Sequence, residues 1–127
     1  MDELIRWYGA ILDEEERIAQ AARGHGEGRW RHETAYPNGY VYDGGLQPVV
    51  YDESAPSPEE AEHIARHDPA RVLRDIEARR ELLRVAERAH DYHQTFTNGF
   101  ASALEGTLRL FALAYADHPG YRSEWAP

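Results

Sequence analysis

Between Ser57 and Arg80 the chain reads SPEEAEHIARHDPARVLRDIEARR, with two helix-start signals eleven residues apart. Ser57 sits where an N-cap belongs, Pro58 at the first helical position and Glu60 two further on. This is a capping box, in which a hydroxyl and a carboxylate satisfy backbone N–H groups that a helix leaves unpaired. Asp68-Pro69 repeats the message. Proline disfavours helical geometry at the residue before it, and Asp is a preferred N-cap. The first helix must therefore stop near His67, and a second must start at Pro69. Any fold of this chain has to accommodate a sharp helix–helix joint.

The flanking segments are read by periodicity. Glu3 to about Ala22 is an amphipathic helix, with Leu4, Tyr8, Ile11, Ile18 and Ala22 in a stripe and Trp7 and Leu12 beside it. Asp2 is placed to cap it, and Asp13–Glu16 falls on its wet side. Gly24, Gly26 and Gly28 end it. The helix from Pro69 to about Tyr92 carries Val72, Ile76, Leu83, Ala86 and His90 on its apolar side. Arg71, Arg74, Arg79, Arg80, Arg84 and Arg88 alternate with Asp75, Glu77, Glu81 and Glu87, as on a solvated face laced with ion pairs. Thr97-Asn98-Gly99 breaks the pattern. A last helix from Phe100 to Tyr115 aligns Phe100, Leu104, Leu108, Phe111 and Tyr115, and Gly106 within it suits a close crossing. The tail should form one packed turn anchored by Trp125, with Tyr121 four residues earlier.

Residues 29–52 change character. Trp30, His32, Thr34 and Tyr36 alternate as on one strand face. Pro37-Asn38-Gly39 and Asp43-Gly44-Gly45 are turn signals around Tyr40-Val41-Tyr42. Val49-Val50-Tyr51 completes a short meander, with Pro48 confined to an edge. The expected fold is α+β, mostly α: a four-helix core with a small antiparallel β-meander inserted after the first helix, residues 1–127 forming a single domain. The Ser57–His67 helix and the tail are expected at one end of that core.

Composition excludes several functions. There is no cysteine, so thiol catalysis, disulfides and Cys-type zinc sites are out. No apolar run approaches the ~20 residues of a membrane span. The acidic N-terminus lacks a signal peptide's basic region, which makes a cytoplasmic location the expectation. Residues 1–60 hold 13 acids against 5 Arg, and residues 61–127 hold 10 against 9, within a net charge of −9. A nucleic-acid or anionic-membrane binder needs a basic face that this chain lacks.

Candidate chemistry centres on histidine. His63 and His67 lie one helical turn apart on one side, preceded by Glu59 and Glu60, a spacing that can offer ligands to Zn²⁺ or another divalent ion. A zinc protease would need Glu at position 64, where Ile64 stands. A third ligand would have to come from His118, Asp117, His90 or His93. Packing of His63 and a helix-end position for His67, where a cation meets the dipole, is the more ordinary explanation of such a pair. Asp68-Pro69 and Asp117-His118-Pro119 read either as turn chemistry or as a shared polar site. Trp30, Tyr36, Tyr40, Tyr42 and Tyr51 could pack a sheet or present a recognition surface. The acidic run could imitate nucleic acid, although such runs are usually solvated helix faces.

Two segments carry a resemblance: HIARHDPARVLRDIEARR at His63–Arg80 and YADHPGYRSEWAP at Tyr115–Pro127. They resemble a family of small actinobacterial and actinobacteriophage proteins described only as a domain of unknown function. The resemblance marks His63, His67, Asp68, Pro69, Arg71, Asp117, His118 and Trp125 as family-like positions. It covers Gly24–Ala55 least and implies no activity. All 14 basic residues being Arg agrees with a high-GC actinobacterial source. Small size, acidity and the lack of a catalytic signature favour a non-catalytic accessory or regulatory protein that binds another protein, a second copy of itself being one candidate partner. The alternative is a metal-binding protein or metal-dependent hydrolase, with zinc held by His63, His67 and His118. An acidic nucleic-acid mimic is a third.

Overall fold

The computed structural model describes residues 1–32, 39–50, 56–91 and 98–127. Four α-helices and three strands follow one another: α1 (Asp2–Ala21), β1 (Trp30–His32), β2 (Val41–Asp43), β3 (Pro48–Val50), α2 (Pro58–Arg66), α3 (Pro69–Asp91) and α4 (Asn98–Ala112). Short 3₁₀ turns occupy Leu113–Tyr115 and Ser123–Trp125. The fold is thus α+β and mostly α, with the antiparallel meander β1-β2-β3 inserted after the first helix. The chain clusters into two compact units, Glu15–Glu77 and Met1–Glu14 with Ala78–Pro127. α1 and α3 each contribute to both.

In the Glu15–Glu77 unit, β2 pairs with β1 through Trp30↔Asp43 and His32↔Val41. It pairs with β3 through Val41↔Val50 and Tyr42↔Pro48, so Val49 is an extra residue forming a bulge. Pro48, which has no N–H to give a ladder, stands on the edge strand as its chemistry requires. α2 lies on this sheet. Ala61 and Ala65 bury against Val41, flanked by Trp30, Val49, Val50 and Ile64. Two alanines facing the sheet let the helix approach closely.

The helix joint is built as its residues dictate. The Ser57 hydroxyl accepts the Glu60 amide at 3.1 Å, and the Glu60 carboxylate accepts the Ser57 amide at 2.9 Å. At the start of α3, Asp68 Oδ1 accepts the Arg71 amide at 2.8 Å. Its other oxygen, Oδ2, accepts the Trp30 amide of β1 at 3.1 Å. The Ala70 amide donates to the Gly28 carbonyl at 3.0 Å. Pro69 has no N–H, so the first three helical positions leave no unpaired donor. Gly28 is a required glycine: its φ is +77°, and a Cβ there would lie 2.9 Å from that of Pro69. Arg71 also reaches back, donating to the Arg66 carbonyl at the end of α2.

Asp43, 4 % exposed, ties the glycine loop to the β2–β3 turn. Its Oδ1 accepts the Gly45 and Gln47 amides, and its Oδ2 the His25 amide, each at 2.9 Å. The His25 ring stands 3.3 Å away.

The other unit has its own core, in which Leu4, Tyr8, Leu12, Leu83, Ala86, Leu108 and Ala112 are buried. Tyr8 is fully buried, its hydroxyl accepting from Arg79 at 2.6 Å and its ring 6.1 Å from Tyr115. The tail is held by Trp7, which meets Tyr121 and Trp125 at 5.6 and 5.3 Å. The Trp7 indole N–H donates to the Pro119 carbonyl at 2.9 Å. Trp125 is the buried anchor of that turn, as expected.

Several expectations are corrected. α1 begins at Asp2, which places Asp2 in the first turn, where a carboxylate meets the helix dipole. Its buried line includes Leu4, Tyr8, Leu12 and Ala19, while Ile18 is exposed. Arg79 and Arg80 leave the solvated face: Arg79 lies over Phe111 at 4.6 Å, and Arg80 pairs with Asp13 at 2.7 Å. Among the described residues nothing lies within 4 Å of the place a Cβ would take at Gly106, so no described helix makes a close crossing there. Thr34, Tyr36, Pro37, Asn38, Tyr51, Tyr92, His93 and Thr97 lie outside the described residues.

Two outcomes follow for stability. Asp68→Ala removes a helix cap and strands the Trp30 amide, and should cost about 1–3 kcal/mol in urea unfolding; an unchanged midpoint would refute this role. Asp43 answers to pH. Burial alone would raise its carboxyl, but the amides of His25, Gln47 and Gly45 and the His25 ring outweigh burial and hold it below the ordinary value of 3.8. A carboxyl lowered in the folded state stabilises fully above its unfolded value and stops doing so as pH falls through the folded value. Asp43→Asn should therefore be less stable than the parent at neutral pH, with the gap closing below about pH 4 in urea titrations run across pH.

Candidate functional site

α2 is an exposed helix with two differently furnished sides. On one, His63 and His67 stack with ring centroids 4.2 Å apart and planes 34° from parallel. His67 Nδ1 lies 2.8 Å from the His63 carbonyl oxygen. A carbonyl only accepts, so Nδ1 carries the proton in this bond, which in a neutral ring leaves the lone pair on Nε2. Both rings are on the surface. The i,i+4 spacing therefore brings these two side chains together as the sequence implied.

His118 belongs to the other unit, in the turn after the Leu113–Tyr115 segment. Its Nδ1 is 3.3 Å from Asp117 Oδ1, and its ring meets Tyr115 edge-on at 5.2 Å. Its backbone closes the turn that offers the Pro119 carbonyl to Trp7. Among the described residues, no group of three or more His, Asp or Glu is arranged to hold a metal ion. The His90 side chain and His93 lie outside them. The two Asp-Pro motifs have separate local duties: the Asp68 carboxylate is spent on backbone amides, while the Asp117 side chain faces solvent.

The second side of α2 faces β1 across a cleft of roughly 460 Å³. Trp30 and His32 line it from the strand, and Pro58, Glu59, Glu62 and Arg66 from the helix. Glu62 and Arg66, one turn apart, pair at 2.8 Å. His32 Nε2 is buried without a hydrogen-bond partner among the described residues. Glu60 points away to its capping bonds, which hold its carboxyl below the ordinary value. Periodicity could not reveal this cleft, because its strand wall comes from a separate segment. Trp30 was legible only as one of several aromatic strand residues. Of the others, Tyr40 and Tyr42 pack edge-to-face at 6.4 Å, and Tyr36 and Tyr51 are outside the described residues.

α4 supplies a surface of another kind. Phe100, Leu110, Leu113 and Phe111 are 56, 60, 44 and 39 % exposed. Of the predicted stripe, Leu108 is buried and Leu104 and Tyr115 are half-buried, but Phe100 and Phe111 are exposed, and Ala112 is buried in addition. Phe100, Ala103, Thr107 and Leu110 recur at coiled-coil spacing along the outer side, and the Thr107 hydroxyl turns back onto the Ala103 carbonyl at 2.8 Å. No charged residue interrupts that line. Exposed large apolar side chains in a row commonly mark an interaction surface. The acidic run of α1 is knit into the fold: Asp13 pairs with Arg80, and Glu14 and Glu16 also have partners.

A family model described as a family of unknown function, DUF6221, matches residues 1–127. No curated protein and no solved structure matches the chain. Among the described residues, no helix is long and apolar enough to cross a membrane.

Proposed function

The chain belongs to the DUF6221 family, a family of unknown function, and we propose from its own geometry that it is a non-catalytic accessory or regulatory protein acting by binding another protein. One observation carries this reading: the uncharged outer line of α4, with Phe100, Leu110 and Leu113 left in solvent. Covering a large apolar side chain contributes about 1.5–3 kcal/mol, so a few such residues suffice for a specific contact. The partner is a protein of neutral or basic surface. Two copies of a chain at −9 repel each other, whereas a basic partner gains attraction as it approaches. The reading includes an actinobacterial or actinobacteriophage source and a cytoplasmic location. The HIARHDPARVL resemblance and the all-Arg basic set support the source. In a phage, such a binder suits host takeover or counter-defence.

Leu110→Asp places a charge in the middle of that line without touching the buried Leu108. We expect it to keep the parent's circular dichroism and melting temperature and to weaken capture of the native-host partner about tenfold or more. A crosslinker at position 110 should trap the same protein. Equal capture by parent and variant would sink the proposal, as would a homodimer in light scattering that Leu110→Asp dissolves.

A second reading rests on the His63–His67 pair, whose stacking and free Nε2 favour divalent-metal binding. Two imidazoles would supply part of the ligand set, with water or another chain completing it. Protein purified without a His tag should then hold stoichiometric zinc by elemental analysis, lost in His63→Ala. Metal-free protein that also fails to take up added zinc ends this reading.

A further inference from the structure

We infer that the cleft beside Trp30 binds an organic cation, a guanidinium or ammonium group. The inference goes beyond the α4 reading and stands on different residues. A cleft of roughly 460 Å³ is the size of a small-ligand site and far larger than a bare ion needs. Its strand wall is Trp30, and indole is the aromatic ring that best attracts a cation over its face. Pro58 and Ala65 line the floor without offering hydrogen bonds.

The charges select the sign of the ligand. Glu62 is matched by Arg66, which donates to it at 2.8 Å. Glu59 has no ion pair among the described residues. It lies in the first turn of α2, where the helix dipole favours its charge, but the capping hydrogen bonds are made by Glu60, so its oxygens stay open to a ligand. The cleft therefore presents two carboxylates against one guanidinium. An anion would be repelled by that excess. A neutral ligand would desolvate Glu59 and return nothing for it. A cation seated on Trp30 shares the cleft with Glu59, and the 13 acids against 7 Arg of residues 15–77 favour its approach. Such a group can arrive as a free amine or as an Arg or Lys side chain of a bound protein.

Titrations of the full chain, followed at the Trp30 indole N–H by NMR, test this. The probes are arginine amide, citrulline amide (the same shape without the charge), spermidine and a capped peptide holding one Arg. Arginine amide should shift the Trp30 signal saturably, and citrulline amide should bind about tenfold more weakly. Glu59→Gln should weaken the cation about threefold. Arg66→Gln, by releasing Glu62, should tighten it by a similar factor, a gain that damage to the fold would not produce. Stronger binding of the peptide than of arginine amide assigns the source to a protein side chain; stronger binding of spermidine assigns it to a free amine. Equal binding of the citrulline and arginine amides overturns the inference. So does an Arg66→Gln variant that binds no better than the parent, or a Trp30 signal that no cation moves.

Discussion

The carboxylate of Asp68 is the interaction on which the Glu15–Glu77 unit is organised. One oxygen caps α3 and the other receives the first strand's amide at Trp30. A single side chain thereby sets where one helix starts and where the sheet attaches. Around it, Gly28 gives its carbonyl to Ala70, and Arg71 covers the end of α2. Because every backbone donor at positions 69–71 is used or absent, the start of α3 has no spare N–H to offer a ligand. The most conspicuous motif in the chain, HDPAR, is structural in most of its atoms.

The cleft inferred to take a cation lies beside that joint. The same β1 segment that bonds Asp68 through its backbone presents the Trp30 ring to the cleft facing α2. The small side chains Ala61 and Ala65 let α2 sit close to the sheet, and Glu59, Glu62 and Arg66 then line the cleft. In the other unit the aromatic residues are consumed internally. Trp7, Tyr121 and Trp125 hold the tail, and Tyr8 and Tyr115 fill the core. What that unit leaves outside is the uncharged line of α4.

Legibility followed the range of the forces involved. Caps and turns depend on neighbours within four residues, so Ser57, Glu60, Asp68, Pro69 and the Asp43 turn could be read directly. Strand order could be read too, because short turns force neighbouring strands to pair. The α4 core line could be read only in part: Leu108 is buried, whereas Phe100 and Phe111 are not. That helix is apolar on more than one side, and periodicity alone does not say which side meets a partner element. Arg79 and Arg80 were misread for the opposite reason: a charged residue in an alternating row resembles a solvated one until Tyr8, Phe111 and Asp13 are brought against it. The metal idea was half legible. The i,i+4 spacing of His63 and His67 is intrinsic to a helix, whereas a third ligand would be a long-range matter.

By itself, the sequence determined the joint, the meander, the mostly helical fold class and the exclusion of thiol chemistry. Each of these is decided by covalent geometry, local hydrogen bonding or the absence of an atom type. Tertiary structure alone decided which residues of those elements come together. It paired the second oxygen of Asp68 with a strand 38 residues earlier. It turned Trp30 and the α2 carboxylates toward one cleft, and it left Phe100 and Leu110 in water. The HDPAR joint is dictated by residues that touch along the chain, while the surfaces that could bind a partner come from residues the fold alone brings together or leaves uncovered.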